Sequence, residues 1–96
     1  MSIDPDTREV CQGDIRAHTR LALDNVDRVL KEAGVRRDQV VFCRVYTPSN
    51  TYWGPINEEY AKFFGDHKPG RVIVSTTELH FGCLVEIEAI AELDED

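Results

Sequence analysis

Residues 83–91 read CLVEIEAIA, and the architecture hangs on how that run is taken. Successive side chains of an extended chain point to opposite sides, so Val85, Ile87, Ala89 and Ala91 share one face while Leu84, Glu86, Glu88 and Ile90 share the other. One face is apolar and the other carries two carboxylates. That predicts a strand lying over a core. Just upstream, residues 71–77 (RVIVSTT) predict another strand, and the short connection Glu78 to Gly82 predicts that the two pair as an antiparallel hairpin. Residues 40–46 (VVFCRVY) are β-branched and aromatic and predict a third, with Val41, Cys43 and Val45 on one face and Phe42, Arg44 and Tyr46 on the other.

Between and before these strands the period changes. Ile15, His18, Ala22, Val26, Val29, Leu30 and Ala33 recur at steps of three and four with Leu21 beside them, which predicts an amphipathic helix over 14–33. Gly13 or Asp14 would cap its start, and Gly34 supplies the left-handed residue past its end. Thr47-Pro48-Ser49-Asn50 breaks the 40–46 strand. Ser49 or Asn50 then caps a second helix whose inward stripe is Trp53, Ile56, Tyr60 and Phe63 or Phe64, with Gly54-Pro55 in the tolerant first turn. Residues 65–70 (GDHKPG) form a turn-rich loop. Residues 1–12, with the turn signature Asp4-Pro5-Asp6-Thr7, read as an arm or loop, and residues 92–96 as a solvated acidic tail. The order helix, strand, helix, strand, strand predicts a single α+β domain over residues 1–96, built in two layers with both helices on one face of the sheet.

Composition bounds the function. Ninety-six residues organise one hydrophobic core and leave a monomer thinly stabilised, so self-association is expected. Eleven Lys and Arg against eighteen Asp and Glu give a net charge of -7, which repels phosphate backbones and disfavours nucleic acid as a partner. No apolar run approaches the roughly 20 residues of a membrane span. The opening MSIDPDTREV lacks the basic start and apolar middle of a secretory signal, so the expected location is the cytoplasm, with no membrane contact. Cys11, Cys43 and Cys83 are odd in number and irregularly spaced, which predicts free thiols rather than disulfides or a metal motif.

Few residues carry chemistry on their own. Arg71 opens a strand directly after Lys68-Pro69-Gly70 and can form a two-pronged bond with a carboxylate, either a structural partner or a ligand. Glu86 sits mid-strand, where a carboxylate needs a partner, and a hairpin neighbour on the Arg71 strand would supply one. Asn57 is polar beside the inward Ile56 and Tyr60. His80 and Cys83 lack a second ligand pair, so no metal is expected. His18 reads as a hydrogen-bonded semi-core residue and His67 as a solvated one. Trp53, Tyr60, Phe63 and Phe64 read as core.

Three segments taken in order resemble the RidA/YjgF family of reactive intermediate deaminases. They are Leu23-Asp24-Asn25-Val26 with Ala33-Gly34, residues 57–64 (NEEYAKFF), and Pro69-Gly70-Arg71 followed by residues 85–91 (VEIEAIA). The most specific part is that last strand, with an arginine fifteen positions before its first glutamate. The resemblance implies a chorismate-mutase-like α+β fold, a mixed sheet with two helices on one face, assembled as a homotrimer with pockets between subunits. It implies hydrolysis of small imino or enamino acids to 2-keto acids and ammonia, without metal or organic cofactor. Arg71 stands at the family's carboxylate-binding arginine, Glu86 at its water-positioning glutamate, and Asn57 at the asparagine lining the same pocket. Ile73 takes the place of a common cysteine, a position that contributes mainly its backbone carbonyl. His80 stands where a proline is common. Family members usually begin with a further segment carrying Gly-Pro-Tyr and Ser-Gly-Gln, which forms the first hairpin and part of the pocket. The alternative is a non-catalytic trimer binding small carboxylates or a protein partner. The ribonuclease or translation-inhibitor reading attached to some relatives is disfavoured by the charge of -7.

Overall fold

Asp14 opens helix α1 (Ile15–Glu32) by accepting a hydrogen bond from the Ala17 N–H at 3.0 Å, in a computed structural model that describes residues 13–67, 69–77, 79 and 83–92, with Asn50 described by its backbone alone. Gly34, at φ 72°, follows the helix in the left-handed region that a side chain disfavours. Both match the sequence expectation. Along α1 the buried apolar positions are Ala22, Leu23 and Leu30, whereas Val29 is 66% exposed and leaves the predicted stripe. The wedge in its place is polar. Thr19 is buried and returns its hydroxyl to the Ile15 carbonyl at 2.7 Å, and Asp27 is buried against Arg37.

Strand β1 (Val40–Thr47) leads through a short turn, in which the Ser49 hydroxyl accepts from the Thr51 N–H, into helix α2 (Trp53–Phe64). Pro55 lies in the first turn of α2, where its missing N–H costs nothing. Ile56, Tyr60 and Phe64 bury one face, as the spacing predicts. Trp53 does not. At 43% exposure it lies at the helix start, outside the packed stripe.

Strands β2 (Gly70–Ser75) and β3 (Glu86–Ala91) complete a mixed three-stranded sheet in the order β2-β1-β3. β2 runs parallel to β1 and β3 antiparallel to it. The predicted hairpin between the last two strands is therefore wrong. The longer, more apolar β1 takes the centre and satisfies its backbone groups on both edges, with β2 on one side and β3 on the other. Thr47, fully buried at the end of β1, donates its hydroxyl to the Leu84 carbonyl at 2.9 Å, two residues before β3. Of the predicted connection Glu78 to Gly82, only Leu79 belongs to the described residues.

A bulge also shifts the faces of β1. Val40 pairs with Ala91 and Phe42 with Ile90, so Val41 has no partner, and the chain kinks there. Val40, Cys43, Val45 and Thr47 face the core, while Val41 turns outward at 45% exposure, against the alternation read from sequence. Both helices cover the sheet face that carries Cys43 and Val45, which gives the expected two layers of an α+β fold. The predicted arm over 1–12 and all but Glu92 of the acidic tail lie outside the described residues.

Candidate functional site

Arg71 is the second residue of β2 and pairs with Cys43 of β1. Paired neighbours share a face of the sheet, and Cys43 is buried under the helices, so the Arg71 side chain leaves on the helical side at the sheet edge. It is exposed, and its guanidinium carbon lies 5.4 Å from the centroid of the Tyr60 ring. Arg16, Arg36, Arg37 and Arg44 all pair with carboxylates, at 2.7 Å, 2.9 Å, 2.9 Å and 3.5 Å. Among the described residues Arg71 has no such partner.

Helical spacing brings Asn57 to the same place. Asn57, Tyr60, Ala61 and Phe64 stand at i, i+3, i+4 and i+7 on α2, hence on one face. With Pro69 and Arg71 they line a cleft of about 540 Å³. The Oδ1 atom of Asn57 is buried and has no hydrogen-bond partner among the described residues, a state that costs about 1–3 kcal/mol unless something else supplies a donor. The floor is rigid. Tyr60 packs at a tilt against Phe64 with centroids 4.8 Å apart, donates its hydroxyl to the Pro69 carbonyl at 3.4 Å, and meets the Cys43 thiol. Burial, reinforced by the Cys43 contact, pushes the phenol well above its ordinary pKa. Burial likewise pushes the Cys43 thiol up. Neither group titrates near neutrality, so the cleft offers one permanent cation, one amide and apolar walls.

Glu86 is elsewhere. It pairs with Tyr46, whose neighbours Cys43 and Val45 point the other way, so Glu86 lies on the sheet face turned from the helices. It is half-buried there beside a polar group in which the Tyr46 hydroxyl donates to Glu88 at 2.7 Å. Arg71 and Glu86 thus occupy opposite faces and opposite edge strands, with β1 between them. β3 pairs with β1 and not with β2, so the expected hairpin partner for Glu86 on the Arg71 strand is not found among the described residues. Ile73, paired with Val45, is half-buried against the core and stays out of the cleft wall.

The remaining candidates are structural. His18 is 3% exposed and its Nδ1 accepts the Leu84 N–H at 3.4 Å, while burial lowers its pKa. His67 is half-buried, not solvated, with its Nε2 2.7 Å from the Val40 carbonyl oxygen. Cys43 and Cys83 are free and buried. Cys11 and His80 lie outside the described residues. Among the described residues no cluster of three His, Cys, Asp or Glu side chains could hold a metal, and no helix is long and apolar enough to cross a membrane.

A sequence model of the family described as Endoribonuclease L-PSP spans residues 1–93. The chain belongs to this RidA/YjgF family. A RutC family protein of Pyrococcus horikoshii is 42% identical to this RidA/YjgF chain over 89 residues, covering 93% of it and 71% of the relative. A Thermotoga maritima crystal structure superposes with a TM-score of 0.94 at 38% identity, covering 98% of this chain and 74% of that one. RidA from the Antarctic bacterium Psychrobacter gives a TM-score of 0.90 at 26% identity, covering 96% and 74%. The crystal structure of E. coli TdcF with bound serine gives 0.90 at 30% identity, covering 97% and 75%. As in those relatives, two helices lie on a mixed sheet in this RidA/YjgF member. What sequence reasoning missed is Tyr60, taken as core alone: it is core and also the ring beneath Arg71. Its place three residues after Asn57 is the signal that ties it to the cleft.

Proposed function

We propose that the protein hydrolyses small 2-imino and 2-enamino acids to 2-keto acids and ammonia, in clefts completed between the subunits of a homotrimer. The observation that carries this reading is the Arg71 guanidinium, without a carboxylate partner among the described residues, at a cleft that also holds Asn57. An imino acid offers one permanent handle, its carboxylate, and a planar guanidinium grips it with two parallel hydrogen bonds. That grip fixes the electrophilic imine carbon in space. Support comes from the relatives: one is named RidA, and another, TdcF, was crystallised with serine, itself a small amino acid with a carboxylate.

Glu86 is the base, and it comes from a neighbour. Because Arg71 and Glu86 lie on opposite faces and edges of one sheet, a head-to-tail contact joins the β2 side of one subunit to the β3 side of the next. Such contacts close into a ring with one cleft per subunit. Glu86 accepts a proton from water as the water oxygen bonds to the imine carbon, giving a carbinolamine. With the imine entering protonated on nitrogen, Glu86 then returns its proton to nitrogen, the C–N bond breaks as Glu86 takes up the carbinolamine hydroxyl proton, and ammonia leaves as the C=O forms. The Asn57 amide orients the nitrogen end. The substrate brings its own electrophile, so these residues need no cofactor.

The test is release of pyruvate from freshly generated 2-iminopropionate. Acceleration by the wild type and none by Arg71→Ala is expected, whereas equal rates with and without protein overturn the reading. Pyruvate binding without turnover would instead favour a carboxylate-binding family member.

A further inference from the structure

We infer that Tyr60 is a positioning residue for Arg71: its ring is the platform over which the guanidinium is held, leaving the N–H prongs free for an entering carboxylate. The inference rests on the carboxylate-binding reading of the cleft and adds the device that aims its one cation.

A free arginine samples many rotamers, and ordering it on a ligand costs affinity. Arg71 has no acidic partner among the described residues to restrict it, and a carboxylate there would compete with any acid entering the cleft. An aromatic face restricts without competing. It attracts the cation through its quadrupole and accepts none of its N–H bonds, so the donor fork remains free for a carboxylate. The 5.4 Å separation is within the range of that attraction.

Tyr60 is built to stay still. It is 5% exposed, packs at a tilt against Phe64 at 4.8 Å, and its hydroxyl reaches the Pro69 carbonyl two residues before Arg71 at 3.4 Å. One side chain thereby holds both the guanidinium and the backbone at the entry of β2. A second anchor comes from Cys43, which meets the same hydroxyl and pairs across the sheet with Arg71 itself. Asn57, one turn earlier on α2, shares the same cleft.

The experiment compares Tyr60→Leu, Tyr60→Phe and Arg71→Ala in the full chain, by NMR titration with pyruvate and by steady-state rates on 2-iminopropionate, with thermal unfolding in parallel. Tyr60→Leu is expected to raise both the pyruvate Kd and the KM by about two- to fivefold with little change in kcat, since aiming the clamp is uniform binding. Tyr60→Phe, which keeps the ring, is expected to recover most of that loss. If Arg71→Ala binds pyruvate as wild type does, the cleft reading itself is wrong. If Arg71→Ala loses binding while folded Tyr60→Leu matches wild type, Tyr60 does not position Arg71. A drop in kcat and melting temperature without a KM change, unrescued by Tyr60→Phe, also overturns the inference by showing a purely structural role.

Discussion

Arg71→Lys separates charge from shape: the lysine keeps a positive charge over Tyr60 but presents no planar fork. Affinity for a 2-keto acid is expected to fall about tenfold in Arg71→Lys and beyond detection in Arg71→Ala, as measured by titration. Elsewhere single residues act on stability. The Asp27 carboxyl is drawn down from 3.8 to about 2, first by its 2.9 Å hydrogen bond to Arg37, with burial opposing and Lys31 assisting. A carboxyl whose folded pKa is depressed stabilises above its unfolded value and loses that contribution as pH falls through the folded one. Asp27→Asn is therefore expected to lose about 2 kcal/mol at pH 7, with the gap to wild type closing between about pH 4 and pH 2. His18 acts earlier on the scale. Burial lowers its pKa below 6.5, so folding favours the neutral ring, and stability declines as pH drops through that unfolded value. Urea unfolding across pH resolves both. Arg71 and Asn57 were legible as candidates from residue type and helical spacing. The ion pair holding Asp27 was not, because Arg37 lies ten residues further along the chain.

Among the elements, α2 connects core to cleft. Ile56 is fully buried and Asn57 beside it lines the cleft, so the same turn packs inward and presents the amide. Ile56→Ala is expected to cost about 3 kcal/mol in chemical unfolding, whereas Trp53→Ala, at an exposed helix start, is expected to cost less than about 1 kcal/mol. Sequence periodicity placed both on one stripe. It fails at Trp53, which is the first residue of α2 and is 43% exposed. A row of rings also runs along the last turn of α2: Arg37 sits 3.9 Å over Phe63, Phe63 meets Phe64 at 4.8 Å, and Phe64 meets Tyr60. Helix α1 was readable to its caps, since a buried stripe, Asp14 and Gly34 all act locally. The strands were readable as strands but not in their pairing. Which strand takes the centre is settled by long-range competition for backbone partners, and the bulge at Val41 inverts a local alternation with no mark in composition.

At the scale of the assembly, the sheet face turned from the helices carries Phe42, Tyr46, Val72 at 46% exposure and Ile90 at 54%. Apolar surface of that kind beside an ion pair suits a subunit contact. Sedimentation equilibrium at micromolar concentration is expected to give three times the chain mass, and a stable monomer would remove the shared cleft. The family resemblance implied that Arg71 and Glu86 act together, and the sheet order shows that one chain keeps them apart. Mixing therefore gives the sharpest check. Arg71→Ala and Glu86→Gln, each inactive alone, are co-refolded in equal amounts and assayed for pyruvate release from 2-iminopropionate. Random ring assembly puts an intact Arg71 against a neighbour's intact Glu86 in about a quarter of clefts, so about a quarter of wild-type activity should return. Activity in either variant alone, or none in the mixture, would contradict a catalytic pair shared between subunits.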